Sequence, residues 1–282
     1  MINKTEAAYI ASLIDGEGCF YTKKGYLRYR LTITNTNIQC LQRIKTIIGT
    51  GYIDRTKNYS PENHNDCYRL HFTARQTILF LQEIYPYLII KKAKAKEAIL
   101  LINTRSGRKI NGIVIQEIKF FDNIKLSDEE KYAYLAGLID GEGCITIGAK
   151  YKDSRVNIAN TNLECLLTMQ QWFQLGNIVM GKKRPSNCKK IFALNYGATA
   201  MRFLLPKIIP FMIIKKEKAE MALKYLEENK RTVGNKKRPG RLEYFRNRYK
   251  DPIIRAKIQQ QTRESKLRRK ARQKLIATQR SK

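Results

Sequence analysis

From Leu27 to Thr34 the chain alternates: Leu27, Tyr29, Leu31 and Ile33 interleave with Arg28, Arg30, Thr32 and Thr34. A period of two sends these sets to opposite faces of a strand, one apolar and one polar. CYRLHFT repeats the pattern, with Tyr68, Leu70 and Phe72 opposite Arg69, His71 and Thr73. Between the two runs the period lengthens, and a helix is expected from about Ile38 to Ile48. Ahead of them, Ala7, Ile10, Ala11 and Ile14 form a helical stripe, and amphipathic helices are expected again over about 75–102.

The same order then recurs. YIASLIDGEGCF from Tyr9 reappears as YLAGLIDGEGCI from Tyr134. At the same spacing, LTITNTNIQCL from Leu31 matches VNIANTNLECL from Val156. YPYLIIKKAKAKEAIL from Tyr85 matches IPFMIIKKEKAEMAL from Ile209 after a slip of one residue. The second copy has its own stripe, Tyr132, Leu135, Ala136 and Ile139, and its helix opens on the capping-box pair Ser127 and Glu130. Gly16 and Gly18, like Gly141 and Gly143, are expected to end the motif helices by taking C-cap dihedrals. Repetition over this length means two homologous domains. The reading is a first repeat at 1–102, a linker at 103–127 whose SGRK and ING stretches are turns, a second repeat at 128–228 with closing helices over about 199–228, and a C-terminal extension at 229–282. The fold class is α+β, each domain an antiparallel sheet with helices on one face.

Composition narrows the partner. The 282 residues carry 55 Lys and Arg against 24 Asp and Glu, a net charge of +31. Such an excess selects a polyanion, nucleic acid ahead of an anionic membrane. No apolar run approaches the roughly 18–20 residues of a membrane span. Any half-buried antiparallel sheet has a wet face; here that face is rich in Arg and Thr, the residue types that read base edges in the major groove. The candidate DNA contacts are Arg28, Arg30, Thr32, Thr34, Arg69, His71 and Thr73, with Arg155, Asn157, Lys182, Arg184 and Lys189 in the second repeat. The extension is strongly basic. NKKRPGR reads as a flexible turn, and the stretch from Asp251 onward as either a helix or a disordered tail; both raise salt-sensitive affinity for DNA or RNA. Cys19, Cys40, Cys67, Cys144, Cys165 and Cys188 include no C-x-x-C pair, and the only His are His64 and His71, so a zinc site is not expected. Cys19, Cys40, Cys144 and Cys165 read as buried free thiols in a reducing compartment. MINKTEAAYI has neither a signal-peptide core nor transit-peptide composition, so the protein is expected to act where it is made. A Lys-, Ile- and Asn-rich chain suggests an AT-rich genome and an organelle-encoded protein, with a chloroplast favoured over a mitochondrion.

LAGLIDGEG at 135–143 resembles the motif of the LAGLIDADG homing endonucleases in their single-chain, two-repeat form. IASLIDGEG at 10–18 departs from it at Ile10 and Ser12, and the resemblance runs nearly to residue 228. It implies two pseudo-twofold αββαββα domains and a monomer that cleaves both strands of a long asymmetric DNA target to promote mobility of its intron. It implies Mg²⁺, with Mn²⁺ able to substitute. Glu17 and Glu142 match the metal-binding acids, with Gly16 and Gly141 beside them, while Asp15 and Asp140 match structural positions. Lys91 and Lys215 match a basic residue near the scissile phosphate or attacking water, and Lys92 and Lys216 stand next to them as alternatives. Asn35 and Asn160 match a water-orienting polar position, with Asn37 and Asn162 as the fallback or as caps of the next helix. A maturase that binds intron RNA to aid splicing is the alternative function.

The residues support the same site independently. Small side chains at Ala11, Ser12, Ala136 and Gly137 let the two motif helices approach closely. Their C-terminal ends then bring Glu17 and Glu142 together. Two carboxylates so placed repel unless a cation lies between them. Oxygen ligands and helix C-terminal carbonyls suit a hard divalent ion, which serves in-line displacement at phosphate.

Overall fold

Asn3 accepts a hydrogen bond from the Thr5 N–H and starts the first helix, α1, at Lys4–Glu17. Strands β1 (Gly18–Lys23) and β2 (Tyr26–Asn35) come next, then α2 (Ile38–Ile48), β3 (Tyr52–Thr56), β4 (Cys67–Phe72), α3 (Ala74–Ile84) and α4 (Lys92–Ser106). The second repeat copies this order: α5 (Asp128–Glu142), β5 (Gly143–Thr146), β6 (Arg155–Asn160), α6 (Leu163–Phe173), β7 (Asn177–Met180), β8 (Phe192–Gly197), α7 (Ala198–Ile208) and α8 (Lys216–Glu228). The structure, a computed structural model, describes residues 2–23, 26–56, 66–106, 124–148, 154–181 and 189–229. The expected turns at SGRK and ING therefore lie almost wholly outside the described residues, and the extension beyond residue 229 lies outside them too.

Each repeat forms a four-stranded antiparallel sheet, ordered β1-β2-β4-β3 and β5-β6-β8-β7. The register is matched: Leu31 faces Phe72 and Ile33 faces Leu70, as Val156 faces Tyr196 and Ile158 faces Leu194. All eight of these side chains are buried, so the apolar set of the alternation covers the core. The fold is α+β, and α2 has the expected bounds. Each closing stretch is two helices, divided by a single 3-10 turn holding Pro86 or Pro210. Proline lacks the N–H that would continue the first helix. The last helix of the first repeat reaches Ser106, past the boundary expected at 102.

Two expectations about the motif helices need correction. Burial on α1 is not a stripe: every residue from Ala7 to Asp15 is buried. The helix packs against α5 as well as against its own sheet, so no face is left for solvent, and Tyr132 of the second stripe is only half-buried. The glycines, too, have a different role. Gly18 and Gly143 are the C-caps, but with φ of −75° and −84° they occupy extended backbone open to any residue. What demands glycine is space. A Cβ on Gly18 would lie 2.5 Å from the Ile14 carbonyl oxygen, and one on Gly143 2.7 Å from that of Ile139. Cys40 and Cys165 are buried as expected, whereas Cys19 and Cys144 are exposed on β1 and β5. Alternation in the strand that leaves the helix turns them outward. Cys67 is half-buried, and Cys188 lies outside the described residues.

Candidate active site and nucleic-acid interface

Helices α1 and α5 cross at their small residues. A Cβ on Gly137 would lie 2.0 Å from Ser12 Oγ and 2.6 Å from the Tyr9 carbonyl oxygen. Ser12 Oγ itself donates to that carbonyl at 2.8 Å. Farther along, the helices exchange glutamates. A Cβ on Gly16 would lie 3.2 Å from Glu142 Cγ, and one on Gly141 3.6 Å from Glu17 Cγ. Each glycine thus leaves room for the acid of the opposite repeat, and Glu17 and Glu142 meet at the interface. Burial, and then repulsion from Glu142, hold Glu17 above the usual carboxylate range, against the pull of Lys91 and Lys215. Among the described residues no group of three or more His, Cys, Asp or Glu gathers to hold a metal. The centre is this pair alone, with backbone carbonyls around it.

Lys91 and Lys215 reach the same helix ends. Lys91 Nζ donates to the carbonyls of Ile14 at 2.8 Å, Asp15 at 2.5 Å and Gly16 at 3.2 Å. Lys215 Nζ donates to those of Ile139 at 2.9 Å and Asp140 at 2.5 Å. An ammonium at a helix C-terminus satisfies orphan carbonyls and meets the negative end of the dipole. Burial lowers the pKa of both amines, opposed chiefly by Asp15 at Lys91 and by Asp140 at Lys215. The neighbouring lysines behave differently: Lys92 Nζ turns to the Pro86 carbonyl and the Tyr85 ring, and Lys216 is exposed on α8.

Asp15 and Asp140 fix the loops that carry these lysines. Asp15 accepts from the backbone N–H groups of Ile89 and Lys91, both at 2.7 Å. Asp140 accepts from Ile213 at 2.7 Å, Ile214 at 3.0 Å and Lys215 at 2.9 Å. Each also accepts a phenol from the other repeat: Tyr134 donates to Asp15 and Tyr9 to Asp140, each at 2.7 Å. The sequence pattern alone does not single out these tyrosines. Their signal is present in it, since they are the first residue of each repeated stretch.

Asn35 and Asn160 are half-buried at the ends of β2 and β6. Their Oδ1 atoms accept from the Asn37 and Asn162 N–H groups at 2.8 Å, closing the strand-to-helix turn. Asn37 and Asn162 then cap α2 and α6 through the Cys40 and Cys165 N–H groups. The turn occupies the carbonyl oxygen of Asn35 and Asn160 and leaves the amide group as the end that could orient water.

The open sheet faces differ in chemistry. In the first sheet Cys19, Thr32, His71 and Tyr52 form one row across the strands. Thr32 Oγ1 and His71 Nδ1 are 3.1 Å apart, and His71 Nε2 lies 3.1 Å from Asp54 Oδ1, which also pairs with Arg69. Arg30 is exposed and Thr34 half-buried on this face; the Arg28 side chain lies outside the description. Thr73 sits beyond β4, where its hydroxyl caps α3. The matching row of the second sheet is Cys144, Asn157, Asn195 and Asn177. Asn157 Nδ2 donates to Asn195 Oδ1 at 2.7 Å, and Arg155 is exposed beside them over an open trough of about 590 Å³. Lys189 is exposed before β8, and Lys182 and Arg184 lie outside the described residues. Asp54, Tyr52, Asn177 and Asn195 join these faces through strand pairing, which a single strand's alternation does not reveal.

A family model described as a LAGLIDADG-like domain matches residues 4–85 and 129–191. Among solved structures, the LAGLIDADG homing endonuclease I-GzeII in complex with its DNA target is 15% identical with a TM-score of 0.51, the match covering 83% of this chain and 94% of that one. The meganuclease I-SmaMI bound to uncleavable DNA is 14% identical over 80% and 91%, TM-score 0.49. I-DmoI with DNA and Ca is 16% identical over 77% and 97%, TM-score 0.44. The likeness to I-GzeII is one of fold, and the family match extends across both repeats. The chain belongs to the LAGLIDADG homing endonuclease family, in its single-chain, two-repeat form.

Proposed function

We propose that the protein is a divalent-metal-dependent endonuclease that cuts both strands of a specific DNA site and thereby promotes mobility of its intron. The observation that carries this reading is the meeting of Glu17 and Glu142, one from each repeat, across the glycines of the opposing helices. A single carboxylate per repeat at crowded helix ends fits a hard ion that keeps waters and shares phosphate oxygens, such as Mg²⁺ or Mn²⁺. Glu17 and Glu142 would hold the ion, with the Gly16 and Gly141 carbonyls beside them. Bound there, the ion supplies charge neutralisation for an in-line displacement at phosphate.

The chain's own residues supply the rest. Lys91 and Lys215 lie at the same helix ends with lowered pKa values, which favours moving a proton or, once a carbonyl bond is released, donating to a phosphate oxygen. Arg30, Thr32, Thr34, Arg69 and His71 on one sheet, and Arg155, Asn157 and Lys189 with the other, offer side chains of the kind that read base edges and grip phosphate. The excess of +31 charges supports a DNA partner, and the I-GzeII relative was solved with its DNA target.

The test is cleavage of a supercoiled plasmid bearing the intronless junction of the gene that hosts the reading frame. Mg²⁺-dependent linearisation is expected, and Glu17→Gln or Glu142→Gln should abolish double-strand cutting while leaving DNA binding. No cutting, combined with tight intron-RNA binding that target DNA competes weakly, would instead support the maturase role.

A further inference from the structure

We infer that Tyr9 and Tyr134 are positioning residues that cross-connect the two half-sites, each holding in place the lysine of the opposite repeat. Both phenols are buried in the α1–α5 interface, at 3% and 0% exposure. Each hydroxyl lies 3.9 Å from a thiol of its own repeat, Cys40 or Cys165, and donates at 2.7 Å to the aspartate of the other. The aspartate's remaining bonds go to the backbone of the lysine loop within its own repeat. One line thus runs from Tyr9 to Asp140, to the Ile213–Lys215 backbone, and on to the Lys215 amine on the α5 carbonyls. The other runs from Tyr134 to Asp15, to the Ile89–Lys91 backbone, and on to the Lys91 amine on the α1 carbonyls.

Packing alone does not require this pattern. An interface tyrosine that merely filled space would need no hydroxyl, and a phenylalanine would serve. Here each hydroxyl supplies one of the few donors that fix a buried carboxylate. Without it the carboxylate keeps only its backbone bonds, the loop loosens, and the amine leaves the helix end more often. Because the lines cross, damage in one repeat is expected to appear in the other.

Two readouts on the full chain test this. The first is a short acetylation pulse on the DNA-free protein, with labelling of each lysine quantified by mass spectrometry. Tyr9→Phe is expected to raise Lys215 labelling by roughly 3- to 10-fold, the size of one net hydrogen bond lost from the line, and to leave Lys91 unchanged. Tyr134→Phe should do the reverse. Should a phenylalanine variant fail to fold, Asp140→Asn interrupts the first line at its middle, and again Lys215 alone should respond. The second readout, which rests on the endonuclease reading, is the ratio of nicking rates on the two strands of an end-labelled target. The two variants should shift that ratio in opposite directions. Equal labelling of both lysines in each variant, or a response of the lysine in the same repeat, overturns the proposal. A wild type that cuts nothing while labelling still crosses would sink the endonuclease reading and leave the connection standing.

Discussion

Gly137→Ala places a methyl where the helices have no room for it. Its Cβ would lie 2.0 Å from Ser12 Oγ and 2.6 Å from the Tyr9 carbonyl oxygen. The hydroxyl could rotate away, but only by giving up its 2.8 Å bond to the Tyr9 carbonyl, worth about 1 kcal/mol. The carbonyl belongs to the α1 backbone, so the helices themselves must separate, at an overpacking cost of about 1–3 kcal/mol. Better helix propensity returns about 1 kcal/mol. The net loss is about 1–3 kcal/mol, or a fall in Tm of roughly 2–12 °C for a unit of this size. Urea and thermal unfolding of the full chain measure it. A reciprocal exchange provides the control. Gly137→Ser alone should be at least as damaging as Gly137→Ala, while Gly137→Ser combined with Ser12→Gly moves the hydroxyl to the other side of the pseudo-twofold and should recover most of the loss. Wild-type stability for Gly137→Ala, or no recovery in the exchange, would refute the reasoning that one side chain, and only one, fits at this crossing.

The raised pKa of Glu17 makes two further outcomes measurable. Because its folded value exceeds the unfolded one, its contribution is favourable below the unfolded pKa and is lost as pH rises through the folded pKa. In EDTA, Glu17→Gln is therefore expected to be more stable than wild type near pH 7, with the difference shrinking towards about pH 4, where the unfolded carboxyl titrates. Adding Mg²⁺ should reverse the order at pH 7 by stabilising only the chain that binds it; a variant less stable than wild type in EDTA at pH 7 would contradict this. Thiol labelling of the native protein offers a separate check. Cys40 and Cys165 are buried, and burial pushes both thiols up to about 12, so exposed Cys19 and Cys144 should react faster by roughly 100-fold or more.

What the sequence disclosed depended on whether a pattern was local. The alternation of Leu31, Ile33, Leu70 and Phe72 defines which strand faces are buried, and helix α2 could be read from its period because one face meets the sheet and the other meets water. Duplication made the acids legible, since two copies of DGEG are hard to assign to chance. Contacts between the repeats were less visible. Gly16 and Gly141 suggest dihedral freedom, yet what they leave room for is the glutamate of the opposite helix, whose place a single segment does not reveal. Tyr9 looks like any apolar residue at the head of a buried helix until Asp140 is seen beyond it. Cys19 follows an apolar helix end and reads as core, but the strand that begins at Gly18 turns it to solvent.

The two sheets also preserve a record of how the halves have parted. Their buried faces remain kin: Leu31 and Val156, Ile33 and Ile158, Leu70 and Leu194, Phe72 and Tyr196 are all apolar and in equivalent register. Their open rows share a cysteine where the strand leaves the motif helix and then diverge, to Thr32, His71 and Tyr52 on one side and three asparagines on the other. The inner face answers to its own core and has little freedom. The outer face is under no such constraint from the core, and its two rows differ. A single chain makes that possible, because neither half must match a copy of itself.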